Sequence, residues 1–189
     1  MNLIPNDSFN PSPHQDEWEK LKQFTDARIA IGRAGSSIPT RPMLEFQLAH
    51  AQAQDAVYQA LDVTTLTEIF KSLGLETITV KSQAEDKQDY LKRPDLGRLL
   101  DQDSVEALKL HFQQSAKFDV CIVVGDGLSA LAIEENAFKL IQSLQPEIQQ
   151  ENWTIAPIVI ATGSRVALGD QVCEILNAQM LIMLIGERP

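Results

Sequence analysis

Three nearly continuous apolar runs, "DVCIVV" at 119–124, "IAPIVIA" at 155–161 and "QMLIMLIG" at 179–186, constrain the fold more than any other feature of this 189-residue chain. A strand of a half-solvated antiparallel sheet alternates apolar with polar side chains. A run without alternation needs cover on both faces, which is the environment of a buried parallel sheet. A shorter β-rich run, "TITV", lies at 77–80. Between the runs the apolar period lengthens to that of a helix: Val105, Leu108 and Phe112 share one face, Ile133, Ala137, Leu140, Ile141 and Leu144 a second, and Val172, Ile175 and Leu176 a third. Strands alternating with helices predict an α/β fold with a Rossmann-like, mostly parallel sheet and flanking helices, whose functional loops lie at the carboxyl ends of the strands.

A helical segment precedes the sheet. "TRPMLEFQLAHAQAQDAVYQALD" (40–62) offers Thr40 as a cap, Pro42 in the first turn, where no intrahelical N–H is lost, and a long run of good helix formers. A second helix is predicted at about 65–73, stopped by Gly74. Residues 1–15, rich in Asn, Ser and Pro, read as a mobile tail, and the fold is expected to start near Trp18. The organisation read from the sequence is thus a tail (1–15), a helical segment (16–75) and an α/β domain (76–189).

Twenty-six acidic against sixteen basic side chains give a net charge of −10, which opposes the counterion release that drives binding to nucleic acid or anionic lipid. Neither nucleic acid nor membrane is expected as a partner. The N-terminal stretch lacks the apolar core of a secretory signal, and the reading is cytoplasmic. Cys121 and Cys173 lie inside apolar segments, where a thiol packs as a small hydrophobe, with a redox or metal role as the alternative. His14, His50 and His111 share no ligand spacing, so no metal site and no catalytic residue are assigned. His50, five residues before Asp55, reads as helix surface or interface.

"VVGDGLSALAI" (123–133) carries the G-x-G-x-x-A spacing of a dinucleotide loop directly after a strand. Such loops bring backbone N–H groups against a pyrophosphate. Asp126 between the glycines would place a carboxylate there, and no acidic residue follows at the end of a next strand to hold a ribose. The alternative is structural: Asp126 accepts N–H bonds at the start of the helix while Gly125 and Gly127 permit a tight turn. Ser129 is not flanked as a nucleophile elbow.

Four stretches in this order, "ARIAIGRAGSSIPT" (27–40) with "FQLAHAQAQDAV" (46–57), "DYLKRPDLGR" (89–98), "DGLSALAI" (126–133) and "GSRVALGDQVCEILNAQMLIMLIGERP" (163–189), resemble the small subunit of ethanolamine ammonia-lyase, and they cover nearly the whole chain after the tail. The resemblance implies one subunit of an adenosylcobalamin-dependent lyase that converts ethanolamine to acetaldehyde and ammonia by radical chemistry. It also implies a TIM-barrel large subunit as partner, with cobalamin held between the two, and a place inside a bacterial microcompartment. The family's cobalamin contacts fall on Val166 in "GSRVALGD" and Glu187 in "GERP", each just after a predicted strand end. Asp126 is kept as a third member of the site. The chain has no D-x-H-x-x-G segment, so by this resemblance cobalamin keeps its own lower base and the cobalt needs no protein ligand.

Two departures stand out. Gln52 and Gln54 occupy positions where family members often carry arginine, which weakens charged contacts to the large subunit. The sequence also stops at Pro189, whereas the family continues past "GERP" with a segment that supplies another strand and one more cobalamin contact. A non-catalytic cobalamin-binding or scaffold remnant of the subunit is therefore the second expectation, and a nucleotide-binding domain the third.

Overall fold

The computed structural model describes residues 17–112 and 117–187; the tail expected at 1–15, with His14, and the Arg188 neighbour of Glu187 lie outside them. By their contacts the residues divide between Gln52 and Ala53 into two compact units.

The second unit holds a four-stranded, all-parallel sheet of β1 (Thr77–Lys81), β2 (Phe118–Gly125), β3 (Ile158–Thr162) and β4 (Ala178–Ile185), in the order β1-β3-β2-β4. The apolar runs became strands within a few residues of the expected bounds, with one shortening. Ile155 makes only an isolated bridge to Val120 and regular pairing starts at Ile158, just after Pro157, which has no N–H to give to a ladder.

Two apolar clusters cover the two faces. On one, Val120, Ile122 and Val124 of β2 and Ile158 and Ile160 of β3 meet Leu66 and Phe70 of α2 (Val63–Ser72) and Ile133, Ala137, Ile141 and Ile148 of α5 (Ala130–Gln150). On the other, Cys121 and Val123 of β2 and Val159 and Ala161 of β3 meet Leu108 of α4 (Gln102–His111) and Leu168 and Val172 of α6 (Leu168–Ile175). Alternate residues of β2 and β3 thus serve opposite faces, which is why these runs lack polar interruptions. The short α3 (Lys87–Lys92) and a 3-10 turn, Leu96–Arg98, connect β1 to α4.

Several readings need correction. The "QMLIMLI" run does not form a strand buried on both faces: β4 is the edge strand, mostly half-buried, with Met180 38% exposed. Leu140 is 45% exposed, on the flank of α5 rather than its core stripe, whereas the helix runs on through Pro146 and buries Ile148. The first long helix, α1 (Thr40–Tyr58), ends before the expected Asp62, because Asp62 is instead the N-cap of α2, accepting the Thr65 N–H at 3.0 Å. Gly74 follows that helix, as predicted, just beyond its cap.

In the first unit, Thr40 opens α1 as a helical residue rather than capping it, with Pro42 inside the first turn. A 3-10 helix spans Glu17–Phe24 and a tight bridge joins Ala34 to Ser37. Trp18 is largely exposed. The Arg28 guanidinium lies 5.7 Å from the centre of the Phe46 ring, on which His50 stacks at 6.0 Å. Nothing in α1 is buried.

Candidate functional site

Because every strand runs the same way, the loops after β2, β3 and β4 emerge at one end of the sheet. The loop after β2 leads to α5 on one face and the loop after β3 to α6 on the other. Neighbouring strands whose connections diverge in this way open a crevice at their carboxyl ends, the usual ligand position of an open α/β sheet.

The chain fills this crevice with its own groups. Asp126, 8% exposed, accepts hydrogen bonds from the backbone N–H of Gly127 at 2.9 Å, of Gly163 at 2.9 Å and of Ser164 at 3.0 Å, and from the Ser164 hydroxyl at 3.5 Å. The Lys87 ammonium lies 4.0 Å away and itself donates to the Gly127 carbonyl at 2.8 Å. Burial holds the Lys87 pKa below the ordinary lysine value, opposed by the Asp126 charge. One carboxylate therefore stitches the loop after β2 to the loop after β3. The cap of α5 is a different residue from the one expected: Ser129 accepts the Ala132 N–H at 3.2 Å.

The N–H groups of the two residues before α5 are also taken. Leu128 and Ser129 both donate to the carbonyl of Gly186, at 2.6 and 3.1 Å, so the chain leaving β4 passes over the turn where a pyrophosphate would sit in a dinucleotide domain. The glycines follow from this crossing. A side chain on Gly127, which stands at φ 54°, would run into the Gly186 carbonyl, and one on Gly186 would run into the Ser129 carbonyl. The G-x-G spacing serves chain-on-chain contact.

Val166 and Glu187 follow the carboxyl ends of β3 and β4, strands that lie two positions, or roughly 10 Å, apart across β2. Val166 is 55% exposed and Glu187 is exposed, although their neighbours Arg165 and Gly186 are held by the loops. Asp126, from the strand between them, turns inward. Beside it a cavity of about 230 Å³ opens between Lys81, Lys87, Tyr90, Asp126 and Gly163.

Residues the sequence reading did not assign do much of the positioning. Arg165 N–H donates to the Gly97 carbonyl and its Nη2 to the Tyr90 carbonyl, both at 2.8 Å. Its guanidinium lies 4.6 Å from the centre of the Tyr90 ring, and Lys87 Nζ lies 4.8 Å from the same point. Tyr90 is 2% exposed, and its burial pushes the phenol pKa above the usual value. Tyr90 and Gly97 both belong to "DYLKRPDLGR", a stretch legible in the sequence only as a pattern without a task.

Elsewhere, Cys121 is buried in the sheet, and burial pushes its thiol up to about 12; Cys173 is half-buried, also raised by burial, and donates to the Ala178 carbonyl at 3.4 Å. Among the described residues no group of three His, Cys, Asp or Glu is placed to hold a metal ion, and no helix is long and apolar enough to cross a membrane.

A model of the family described as ethanolamine ammonia-lyase light chain (EutC) matches residues 15–189. The chain belongs to this family. It is 43% identical over 176 residues to the ethanolamine ammonia-lyase small subunit of Pseudomonas aeruginosa (strain LESB58), covering 93% of this chain and 64% of that protein. To the small subunits of Pseudomonas putida it is 45% identical over 180 residues in strain W619 and 44% identical over 184 residues in strain ATCC 47054, covering 95% and 97% of this chain and 66% and 67% of those proteins. The chain thus spans about two thirds of the length of these ethanolamine ammonia-lyase small subunits, and the match runs through both sequence units and all four strands.

Proposed function

We propose that the chain acts as the small subunit of an adenosylcobalamin-dependent ethanolamine ammonia-lyase, giving Val166 and Glu187 to one side of a cofactor held against the large subunit. The observation that carries this reading is the pairing of exposure with anchorage. Both side chains are exposed at the ligand end of the sheet, while the residue before each is fixed by hydrogen bonds to another loop.

The donor set suits a corrin. Its peripheral amides offer N–H groups, for which the Glu187 carboxylate is a good acceptor, and its apolar edge suits the Val166 isopropyl group. The Val166 carbonyl already accepts the Gly169 N–H at 3.1 Å, which leaves the side chain as the surface on offer. When bound, adenosylcobalamin supplies the radical chemistry of the deamination. This chain's own contribution is to bind and orient it, and the groups that handle substrate protons are assigned to the large subunit. Exposed Leu44 and Leu48 on α1 support a role for that helix in docking the partner.

Occupancy of the α5 start by the Gly186 carbonyl speaks against the nucleotide reading, because Leu128 and Ser129 have no N–H left for a phosphate. The test is titration of the chain with hydroxocobalamin and with NAD, each with and without the large subunit. Hydroxocobalamin binding to the complex, no NAD binding, and no ammonia release by the isolated chain are expected. Glu187→Ala should weaken cobalamin binding by about 1–3 kcal/mol, the cost of leaving a buried amide donor unpaired. An unchanged dissociation constant returns Glu187 to an ordinary surface charge, and a complex that binds no cobalamin refutes the reading.

A further inference from the structure

We infer that Arg165 is the positioning residue that sets Val166 at the ligand end of the sheet, with Tyr90 and Gly97 as its seat; this rests on the reading of Val166 as a cofactor contact. Val166 is 55% exposed, so packing around its own side chain cannot fix where it points. Its place must come from the chain on either side. On the far side, the Arg165 and Val166 carbonyls accept the Leu168 and Gly169 N–H groups, at 2.9 and 3.1 Å, and so join the first turn of α6. On the near side, the N–H and side chain of Arg165 are turned into the 89–98 segment.

Backbone, stem and guanidinium of Arg165 each meet that segment. The backbone N–H reaches the Gly97 carbonyl and Nη2 the Tyr90 carbonyl, both at 2.8 Å, and the guanidinium carbon lies 4.6 Å from the centre of the Tyr90 ring. The aliphatic stem passes over Gly97 so closely that a Cβ there would stand 3.1 Å from Arg165 Cγ and 3.2 Å from both the Gly163 carbonyl oxygen and Tyr90 Cδ2. The seat is therefore sized for a glycine below and an arginine above. Lysine cannot substitute, because a single ammonium cannot stack on the ring and reach the carbonyl with a planar fork.

The arrangement is also imperfect in a way that argues for position over stability. Arg165 Nε is buried without a hydrogen-bond partner among the described residues. A site built only to fill space would do better with an apolar side chain, which carries no donor to leave unmet. What the arginine adds is a fixed direction for the backbone that bears Val166.

The test compares three variants of the chain assembled with the large subunit: Arg165→Lys, Gly97→Ala and Val166→Asp. Hydroxocobalamin affinity is measured by absorbance titration at low temperature, and thermal unfolding of each variant is followed by circular dichroism. Arg165→Lys and Gly97→Ala should each weaken hydroxocobalamin binding by roughly tenfold, a clearly measurable step in affinity, at temperatures where both remain folded. Val166→Asp separates the two ideas. If it leaves affinity unchanged, the cofactor reading of Val166 fails. If it weakens binding while Arg165→Lys and Gly97→Ala bind normally, the cofactor reading stands and the positioning role is overturned. Loss of affinity that merely follows loss of folded protein across the series also overturns it.

Discussion

Replacing Asp126 tests the claim that one carboxylate closes the crevice between the loops after β2 and β3. Its two oxygens accept three backbone N–H groups at 2.9 to 3.0 Å and face the Lys87 ammonium at 4.0 Å. In Asp126→Ala those donors lose their acceptor at once. The Gly127 and Ser164 N–H groups lie in buried residues that water reaches poorly, and each unpaired donor costs about 1–3 kcal/mol. Lys87 also loses its counter-charge, which adds to the loss because breaking one side of a buried pair leaves the other uncompensated. The contributions share one network and do not add fully, so about 3–5 kcal/mol is expected, a large part of the stability of an ordinary domain. For a chain of this size that corresponds to roughly 10–15 °C in melting temperature. Asp126→Asn keeps the acceptor oxygen but turns an NH₂ group toward one of the N–H donors, and should fall about midway between parent and Ala variant. Urea unfolding followed by circular dichroism, with the slope constant across the three proteins, reads the difference directly. A loss below about 1 kcal/mol for Asp126→Ala would refute the reasoning; if cobalamin affinity dropped instead while stability held, Asp126 would be a ligand contact.

Gly186→Ala drives a methyl group into the Ser129 carbonyl, and a cost of at least about 2 kcal/mol with disturbed cobalamin binding is expected in the same assays; a neutral outcome means the crossing relaxes freely. Asp119 accepts the Thr154 N–H and hydroxyl, both at 2.7 Å, and these bonds hold its carboxyl below the usual carboxylate range. Its contribution to stability is complete above the unfolded-state pKa and is lost as pH falls through the depressed folded value. Asp119→Asn should therefore be less stable at neutral pH and lose less on acidification, with parallel acid titrations of both proteins as the check. Cys121, buried and pushed up to about 12, should resist iodoacetamide in the folded chain at pH 8 and react only on unfolding, as mass spectrometry of the labelled peptide would reveal.

How much of this was legible depends on whether a residue's task is local. The buried strands could be read because cover on both faces of β2 and β3 removes every polar position from a run, and that imprint is local to the run. β4 carries the same imprint yet lies at the edge, half-buried, because an apolar run records what a strand needs and not which neighbours meet it. Asp62 could not be placed from its own segment: the good helix formers before it argued for continuing α1, and only its bond to the Thr65 N–H makes it the start of α2.

The loop at 125–129 exposes the deeper limit. Its spacing is that of a pyrophosphate cradle because both arrangements impose the same steric demand, a close approach by something that tolerates no Cβ. In a dinucleotide domain that object is a phosphate; here it is the Gly186 carbonyl, delivered from 57 residues further along the chain than Ser129. Asp126, which looked wrong for a phosphate, is right for a crevice whose N–H donors must be satisfied from within. A glycine pattern therefore reports how near the visitor comes, and its charge has to be read from the residues between. In this chain the carboxylate between the two glycines takes the N–H groups of Gly127, Gly163 and Ser164, the Gly186 carbonyl takes those of Leu128 and Ser129, and the side chains left exposed at this end of the sheet include Val166 beyond β3 and Glu187 beyond β4.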